Sequence, residues 1–249
     1  MVPDLSGRRA VVTGAASGIG AAVAGRLAAL GAHVVVCDVD ADGAARTAER
    51  VGGEALVLDL SRTAELADLR LDADILVNNA GVQHVSPIEQ FSPERFAFVL
   101  RLMLEAPFLL SRAVVPGMYE RGWGRIIHMS SVHGIRASAY KSAYVSAKHG
   151  LEGLSKVIAL EGAVHGVTSN CVCPGYVRTP LVERQLADQA EVHGLGVDEV
   201  VSEVLLARSA VKRLIEPEEV AGAVAYLCSP EAASVTGTRL VLDGGWSAS

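Results

Sequence analysis

"TGAASGIG", Thr13 to Gly20, follows the β-rich run "RRAVVTG" and opens a stretch of helical periodicity, "GIGAAVAGRLAALG", which Gly31 stops. Many βα turns need glycine, so such a turn is weak evidence alone. Between a strand and a helix it means more, because bare backbone and the free N–H groups of a helix amino terminus together suit a pyrophosphate. Outward from it, short β-rich runs alternate with helical patterns to the end of the chain. After the first strand come "HVVVCD", "EALVLD", "DILVNNA", "GRIIHMS", "GVTSNCV" and "TRLVLDG". Runs this continuously apolar are expected to be covered on both faces. The pattern predicts an α/β fold, a doubly wound, seven-stranded parallel sheet, over a single domain of residues 1–249.

Composition narrows the partners. Half of the 249 residues are apolar and a fifth are charged, so a sizeable core is available, and the net charge is −6. No run of lysine or arginine suggests a nucleic-acid footprint. No run of about 18 apolar residues supports a membrane span, and the first residues lack the apolar segment of a signal peptide. The four cysteines, Cys37, Cys171, Cys173 and Cys228, sit in apolar stretches. Without a companion His/Cys cluster of zinc spacing, the Cys171–Cys173 pair reads as buried thiols rather than a metal site. A reduced, cytoplasmic protein fits that usage. From Pro180 to about Ala210 two helical pieces, "LVERQLADQA" and "VDEVVSEVLLARSA", are followed by no strand. They read as a small helical lid over the carboxyl edge of the sheet, with a plain surface hairpin as the alternative.

Asp38 closes the second strand, 18 residues after Gly20. An acid at that place accepts hydrogen bonds from both hydroxyls of an adenosine ribose and repels a 2′-phosphate. No basic residue follows in "CDVDADG", and Ala15 and Ala16 occupy the turn. NAD is therefore expected rather than NADP.

The glycine spacing, G-x-x-x-G-x-G, is followed in order by "NNAG" (Asn78 to Gly81), a serine thirteen residues before "YVSAK", "PGYVRT" and "DGG". With this ordered set the chain resembles the short-chain dehydrogenase/reductase family over essentially its full length. The resemblance implies a Rossmann-like fold and a catalytic group of Ser131, Tyr144 and Lys148. It implies a cofactor held by Gly14, Ser17, Gly18, Ile19 and Gly20 of the turn, with Asp38, Asp59 and Leu60 at the adenosine end. Asn79, Gly81, Tyr144, Lys148, Pro174, Gly175, Val177 and Thr179 complete that set. It also suggests a homotetramer with the long helices around Met103 and Ala147 packing between subunits.

The residue types suit the chemistry. Tyr144 and Lys148 are four apart, on one helix face. Moving hydride between a secondary alcohol and nicotinamide requires a proton to leave or join the same oxygen. Free tyrosine ionises near pH 10, about three units too high, and an adjacent ammonium favours the phenolate. Ser131 would hold the substrate oxygen. Tyr140 and Ser130 receive no such role. One position departs from the family pattern: Met103 stands where an asparagine usually helps hold a proton-relaying water, and a thioether is a weak acceptor. Another group supplies the relay, or turnover is slower.

"NAGVQHVSPIE", "GWGRII", "SSVHG", "YVSAKHG", "CPGYVRTPLV" and "DGGW" are similar to the bacterial members of the family that act on D-3-hydroxybutyrate. That similarity implies reversible, NAD-dependent oxidation of D-3-hydroxybutyrate to acetoacetate. Gln83, His133, Lys141 and Gln185 would bind the substrate carboxylate. Tyr176, usually tryptophan there, and Trp246 would wall the methyl end. Singly, each has a plain reading: Lys141 and the glutamines as solvated surface, His133 as a turn cap, Trp246 as a subunit contact. A different small hydroxy acid, an alcohol or a 3-ketoacyl substrate is the alternative. A non-catalytic NAD-binding protein is a third reading, with only Met103 in its favour.

Overall fold

The computed structural model describes residues 3–180, 182, 183, 196, 201 and 205–248. The greater part of the expected lid, Gln185 included, lies outside the described residues. Seven strands form one parallel sheet: β1 (Arg9–Thr13), β2 (His33–Asp38), β3 (Glu54–Val57), β4 (Ile75–Asn78), β5 (Gly124–Met129), β6 (Val167–Pro174) and β7 (Arg239–Leu242). Their spatial order is β3-β2-β1-β4-β5-β6-β7. Among the described residues the helices are α1 (Gly18–Ala29), α2 (Ala41–Val51), α3 (Thr63–Leu66), α4 (Pro93–Leu100), α5 (Ala106–Arg121), α6 (Ser142–Gly162) and α7 (Pro217–Leu227).

The apolar runs are continuous because adjacent residues serve opposite faces. Val12, Val34, Val36 and Val77 join one core layer with Val23 and Leu27 of α1 and Val220 and Val224 of α7. Val11, Val35 and Leu76 face the other way, against Leu110, Val114 and Met118 of α5 and Ile158 of α6. Between α4 and α5 the helix widens into a π turn, Arg101–Glu105, which carries Met103.

Because β1 pairs with both β2 and β4, the winding reverses between β1 and β4 and leaves a crevice beyond their carboxyl ends. Two short segments line it. Gly14 has φ +64°, and a Cβ there would stand 2.8 Å from Ala80 Cα; a Cβ on Gly20 would lie 2.2 Å from the Gly14 carbonyl oxygen. The turn therefore closes only around bare backbone. Gly20→Ala is expected to lower stability by about 1–3 kcal/mol, as overpacking does, and to weaken dinucleotide binding. Thermal melts and NADH fluorescence titration check this, and unchanged values would show that the turn has room to move.

Candidate active site

The cofactor crevice is assembled by side chains that fix backbone. Thr13 Oγ1 accepts from the backbone N–H groups of Asn79 (2.9 Å) and Ala80 (3.1 Å). Asn79 Nδ2 donates to the carbonyls of Thr13 (2.9 Å) and Gly14 (3.1 Å). Asn79 is thus a brace for the glycine turn. At the end of β2, Asp38 Oδ2 accepts from the Ala16 N–H at 2.9 Å and Oδ1 from the Asp40 N–H at 3.1 Å, so its carboxylate is drawn over the turn. Asp59 is turned onto Ser61, whose N–H and hydroxyl reach Oδ1 at 2.9 and 2.7 Å, and Leu60 is buried beside it. A Cβ on Gly18 would meet Thr179 Cγ2 at 3.3 Å, which brings the loop after β6 against the start of α1. The Gly175 N–H donates to the Leu242 carbonyl, and Val177 bridges to Ile215. Bare backbone at Gly14, Gly18 and Gly20, free N–H groups at the start of α1 and an acid at the end of β2 form a donor and acceptor set that fits a dinucleotide.

Ser131, Tyr144 and Lys148 come together at the carboxyl end of β5. Ser131 lies two residues beyond β5 in extended backbone, and its Oγ accepts from the His133 N–H at 3.2 Å, capping a 3₁₀ turn, Val132–Gly134. Tyr144 and Lys148 rise from the first turns of α6, with the lysine Nζ 5.4 Å from the tyrosine ring centre. Lys148 is buried and donates to the Met129 carbonyl at 2.6 Å. Burial pulls its ammonium down to about 8, against the opposing pull of Cys171, Cys173 and Glu152. Burial likewise pushes the Tyr144 phenol above its ordinary value, while its hydrogen bond with Ser131 works the other way. A phenol beside a hydroxyl and a buried cation can exchange a proton with an oxygen placed between them.

The expected substrate residues frame the same corner. His133 Nδ1 lies 3.4 Å from Ser131 Oγ and Nε2 lies 2.9 Å from Ser138 Oγ. Its ring stands edge-on to Tyr144 and tilted against Trp246, with centres 5.9 Å apart in both cases. Lys141 Nζ lies 6.0 Å from the Tyr176 ring centre, and burial lowers its ammonium below the usual lysine range. Trp246 is buried and also carries the Arg208 guanidinium over its ring at 4.6 Å. Gln83 is half-buried in the segment after β4. Tyr140 is exposed, with φ +67°, and its carbonyl accepts from the Ser86 N–H at 2.9 Å. That bond ties the strand-β4 loop bearing Gln83 to the segment bearing Lys141.

Met103 is fully buried among Val99, Ala143 and Ala147, with Tyr144 against the same cluster, and its Cε would be 3.2 Å from a Cβ on Gly81. The place expected for an asparagine is filled by apolar packing. Sequence reasoning passed over Thr13 and Glu152. Glu152 is buried and accepts from Ser130 and Cys173. The signal was an acid one turn after Lys148 on the buried face of its helix.

A family model described as enoyl-(acyl carrier protein) reductase matches residues 14–247. The chain belongs to the short-chain dehydrogenase/reductase family, and it is an oxidoreductase. It is 45% identical over 255 residues to the D-beta-hydroxybutyrate dehydrogenase of Rhizobium meliloti, covering 97% of this chain and 99% of that protein. Identity to the protein of the same name from Cupriavidus necator is 43%, over 98% and 99% of the two chains. Among solved structures, a putative NAD(P)-dependent gluconate 5-dehydrogenase from Beutenbergia cavernae, with NADP bound at low occupancy, superposes with a TM-score of 0.87 at 35% identity, covering 99% of both chains.

His133 is held at about 4 by burial and by Lys141 and His149, so its ring is neutral above that pH. Its NMR resonance is expected to stay unchanged from pH 8 down to about 5.5; a midpoint near the ordinary 6.5 would show a corner open to water.

Proposed function

We propose that the protein catalyses the reversible, NAD-dependent oxidation of D-3-hydroxybutyrate to acetoacetate. The carrying observation is Lys141. The residue is half-buried, its ammonium lies over Tyr176 and acts on His133, and among the described residues no acid pairs with it. Burying a cation without an anion is costly, and a substrate carboxylate would supply the missing charge. His133 stands next to it, already oriented by Ser138, and the methyl end of a short hydroxy acid would face Tyr176 and Trp246. Gln83 and Gln185 complete the proposed carboxylate site. The two hydroxybutyrate dehydrogenases similar over nearly their whole length support the same substrate.

In this reading Ser131 hydrogen-bonds the substrate oxygen and sets it towards Tyr144. Tyr144 takes the hydroxyl proton in oxidation and returns it in reduction. Lys148, held by Met129, supplies the positive charge that favours the phenolate. Bound NAD supplies a hydride acceptor, and NADH the reverse. The glycine turn and Thr179 would hold its pyrophosphate, and Asp38 its adenosine ribose. A 2′-phosphate at that ribose would meet the Asp38 carboxylate, a like-charge repulsion of ~1–4 kcal/mol at ~4 Å.

One domain carrying the whole site, in the cytoplasm, is part of the reading. The four cysteines are free, buried thiols, and no helix among the described residues is long and apolar enough to cross a membrane. A homotetramer is inferred as well. Met103 and Ala147 are themselves buried within the chain, but the outer faces of their helices expose Phe108, Val157 and Leu160.

NADH formation at 340 nm, with D- and L-3-hydroxybutyrate and with NAD and NADP in parallel, tests the reading. Turnover of the D form with NAD, favoured about tenfold or more over NADP, is expected. Equal use of NADP would overturn the role of Asp38, and no oxidation of the D form would overturn the substrate. Tyr144→Phe should cut kcat by about 10²–10⁴ and leave NAD binding intact. Lys141→Ala should raise KM for the hydroxy acid far more than for a neutral alcohol; equal effects would remove the carboxylate assignment.

A further inference from the structure

Each oxidation leaves a proton on the Tyr144 phenol, and that proton has to depart before the next one. Towards α4 and the π turn, Tyr144 meets the apolar cluster of Val99, Met103, Ala143 and Ala147. Lys148 is buried, with its Nζ turned onto the Met129 carbonyl at 2.6 Å. In the remaining direction a row of polar groups leads outward. Ser131 shares a hydrogen bond with Tyr144, and its Oγ lies 3.4 Å from His133 Nδ1. The opposite ring nitrogen, Nε2, lies 2.9 Å from Ser138 Oγ. Ser138 is half-buried between exposed neighbours, Arg136 and Ala137 before it and Ala139 and Tyr140 after it, so the row ends at the surface. The 3.4 Å step is long for a settled bond, as catalytic hydrogen bonds often are before substrate binds.

We propose that Ser131, His133 and Ser138 form a proton wire between Tyr144 and bulk water. The inference rests on the part given to Tyr144 in the proposed chemistry. A hydroxyl has one hydrogen to donate and two lone pairs to accept with. The backbone N–H of His133 already occupies one lone pair of Ser131 Oγ, at 3.2 Å. What remains is one donor and one acceptor, facing Tyr144 and His133 Nδ1. A neutral imidazole also has one donor and one acceptor, and each of its nitrogens faces a hydroxyl. Contacts with Tyr144 and Trp246, ring centres 5.9 Å away in both cases, hold the ring in line. Burial, with Lys141 and His149 adding to it, keeps the ring neutral, so it passes a proton without trapping it. After an oxidation the Tyr144 proton moves to Ser131 Oγ as the Ser131 proton moves to His133 Nδ1. The Nε2 proton moves to Ser138 Oγ, and the Ser138 proton leaves to water. Tyr144 is left a phenolate, every other group keeps its number of hydrogens, and no electron is transferred. Reduction runs the same wire inward, and rotation of the hydroxyls and the ring restores the starting order. The single ring N–H faces a hydroxyl in either order, so the charge of the substrate is met by Lys141.

Ser138 separates the wire from the substrate site, because it belongs neither to the hydride chemistry nor to the carboxylate set. In holoenzyme with NAD and D-3-hydroxybutyrate, stopped flow reads NADH by its absorbance and the released proton by a pH indicator in weak buffer. Ser138→Ala is expected to leave the first burst of NADH at the parent rate and KM nearly unchanged. Proton release, and kcat with it, should slow about tenfold, less than the 10²–10⁴ of a direct acid–base group. Ser138→Thr keeps the hydroxyl and should restore the parent timing. Proton release as fast in Ser138→Ala as in the parent overturns the proposal. So does a Thr variant as slow as the Ala one, which would be an effect of packing. The ring nitrogens give a second reading, in full-length protein without cofactor or substrate. With ¹⁵N-labelled histidine, and the His133 signals assigned by a His133→Asn variant, Ser138→Ala should shift Nε2. Tyr144→Phe should shift Nδ1 through Ser131. A Nδ1 signal unmoved by loss of the Tyr144 hydroxyl means that no wire joins them, and overturns the proposal. Failure to oxidise D-3-hydroxybutyrate would count against the substrate reading, and the wire would then stand or fall by the nitrogen signals.

Discussion

Where β1 meets β4 the sheet stops winding one way and begins winding the other, and the ends of those two strands must be held apart and in register to leave a crevice. Backbone pairing between them runs only as far as Val12 and Val77. Beyond it, the Thr13 hydroxyl, bonded to Val77, Asn79 and Ala80, and the Asn79 amide, bonded to Thr13 and Gly14, take over. The glycine turn is placed by this tie. So is Gly81, against which Met103 packs, and through Met103 the cluster that seats the start of α6. A hydroxyl and an amide in the sheet centre thus set the distance between the dinucleotide crevice and the tyrosine-bearing helix.

The side chains of that helix and its surroundings share an electrostatic bias. Burial acts on His128, His133, Lys141, Tyr144, Lys148 and Tyr176, and in every case it favours the uncharged form. Charge in such a place has to be introduced or sustained by a specific partner. For Lys141 the partner would be the bound carboxylate; for Lys148 the fold supplies the Met129 carbonyl, 2.6 Å from its Nζ. A dry pocket of this kind gains more from each charge pairing than a wet one. It also makes protonation state sensitive to any single substitution in the second layer.

The seven strands were legible because a parallel sheet covered on both faces demands uninterrupted apolar runs, and "HVVVCD" and "DILVNNA" have no other economical reading. Asp38 was legible because a charge ending such a run has few structural reasons to be there. Tyr144 and Lys148 were legible from a spacing that places both on one face of α6. Glu152 was not. An acid on a long helix ordinarily faces water, and its burial depends on Ser130 and Cys173, which approach from strands 22 and 21 residues away along the chain. The left-handed backbone of Tyr140 was equally hidden: tyrosine carries no preference for positive φ, and only the Ser86 N–H bonded to its carbonyl shows what holds it there. Long-range hydrogen bonds leave no periodic trace in one sequence.

The thiols have a consequence of another kind. Cys37, Cys171 and Cys228 are pushed up to about 12 by burial, and Cys173, which donates to Glu152, is pushed higher still. Oxidants and alkylating agents attack thiolates, and burial in apolar surroundings keeps these groups in the inert thiol form. Two of these cysteines sit within a few residues of Pro174 and Gly175, where a reactive sulfur would expose the crevice to peroxide or glutathione. With all four buried and protonated, no cysteine offers the site a thiolate through which the redox state of its surroundings could switch it off.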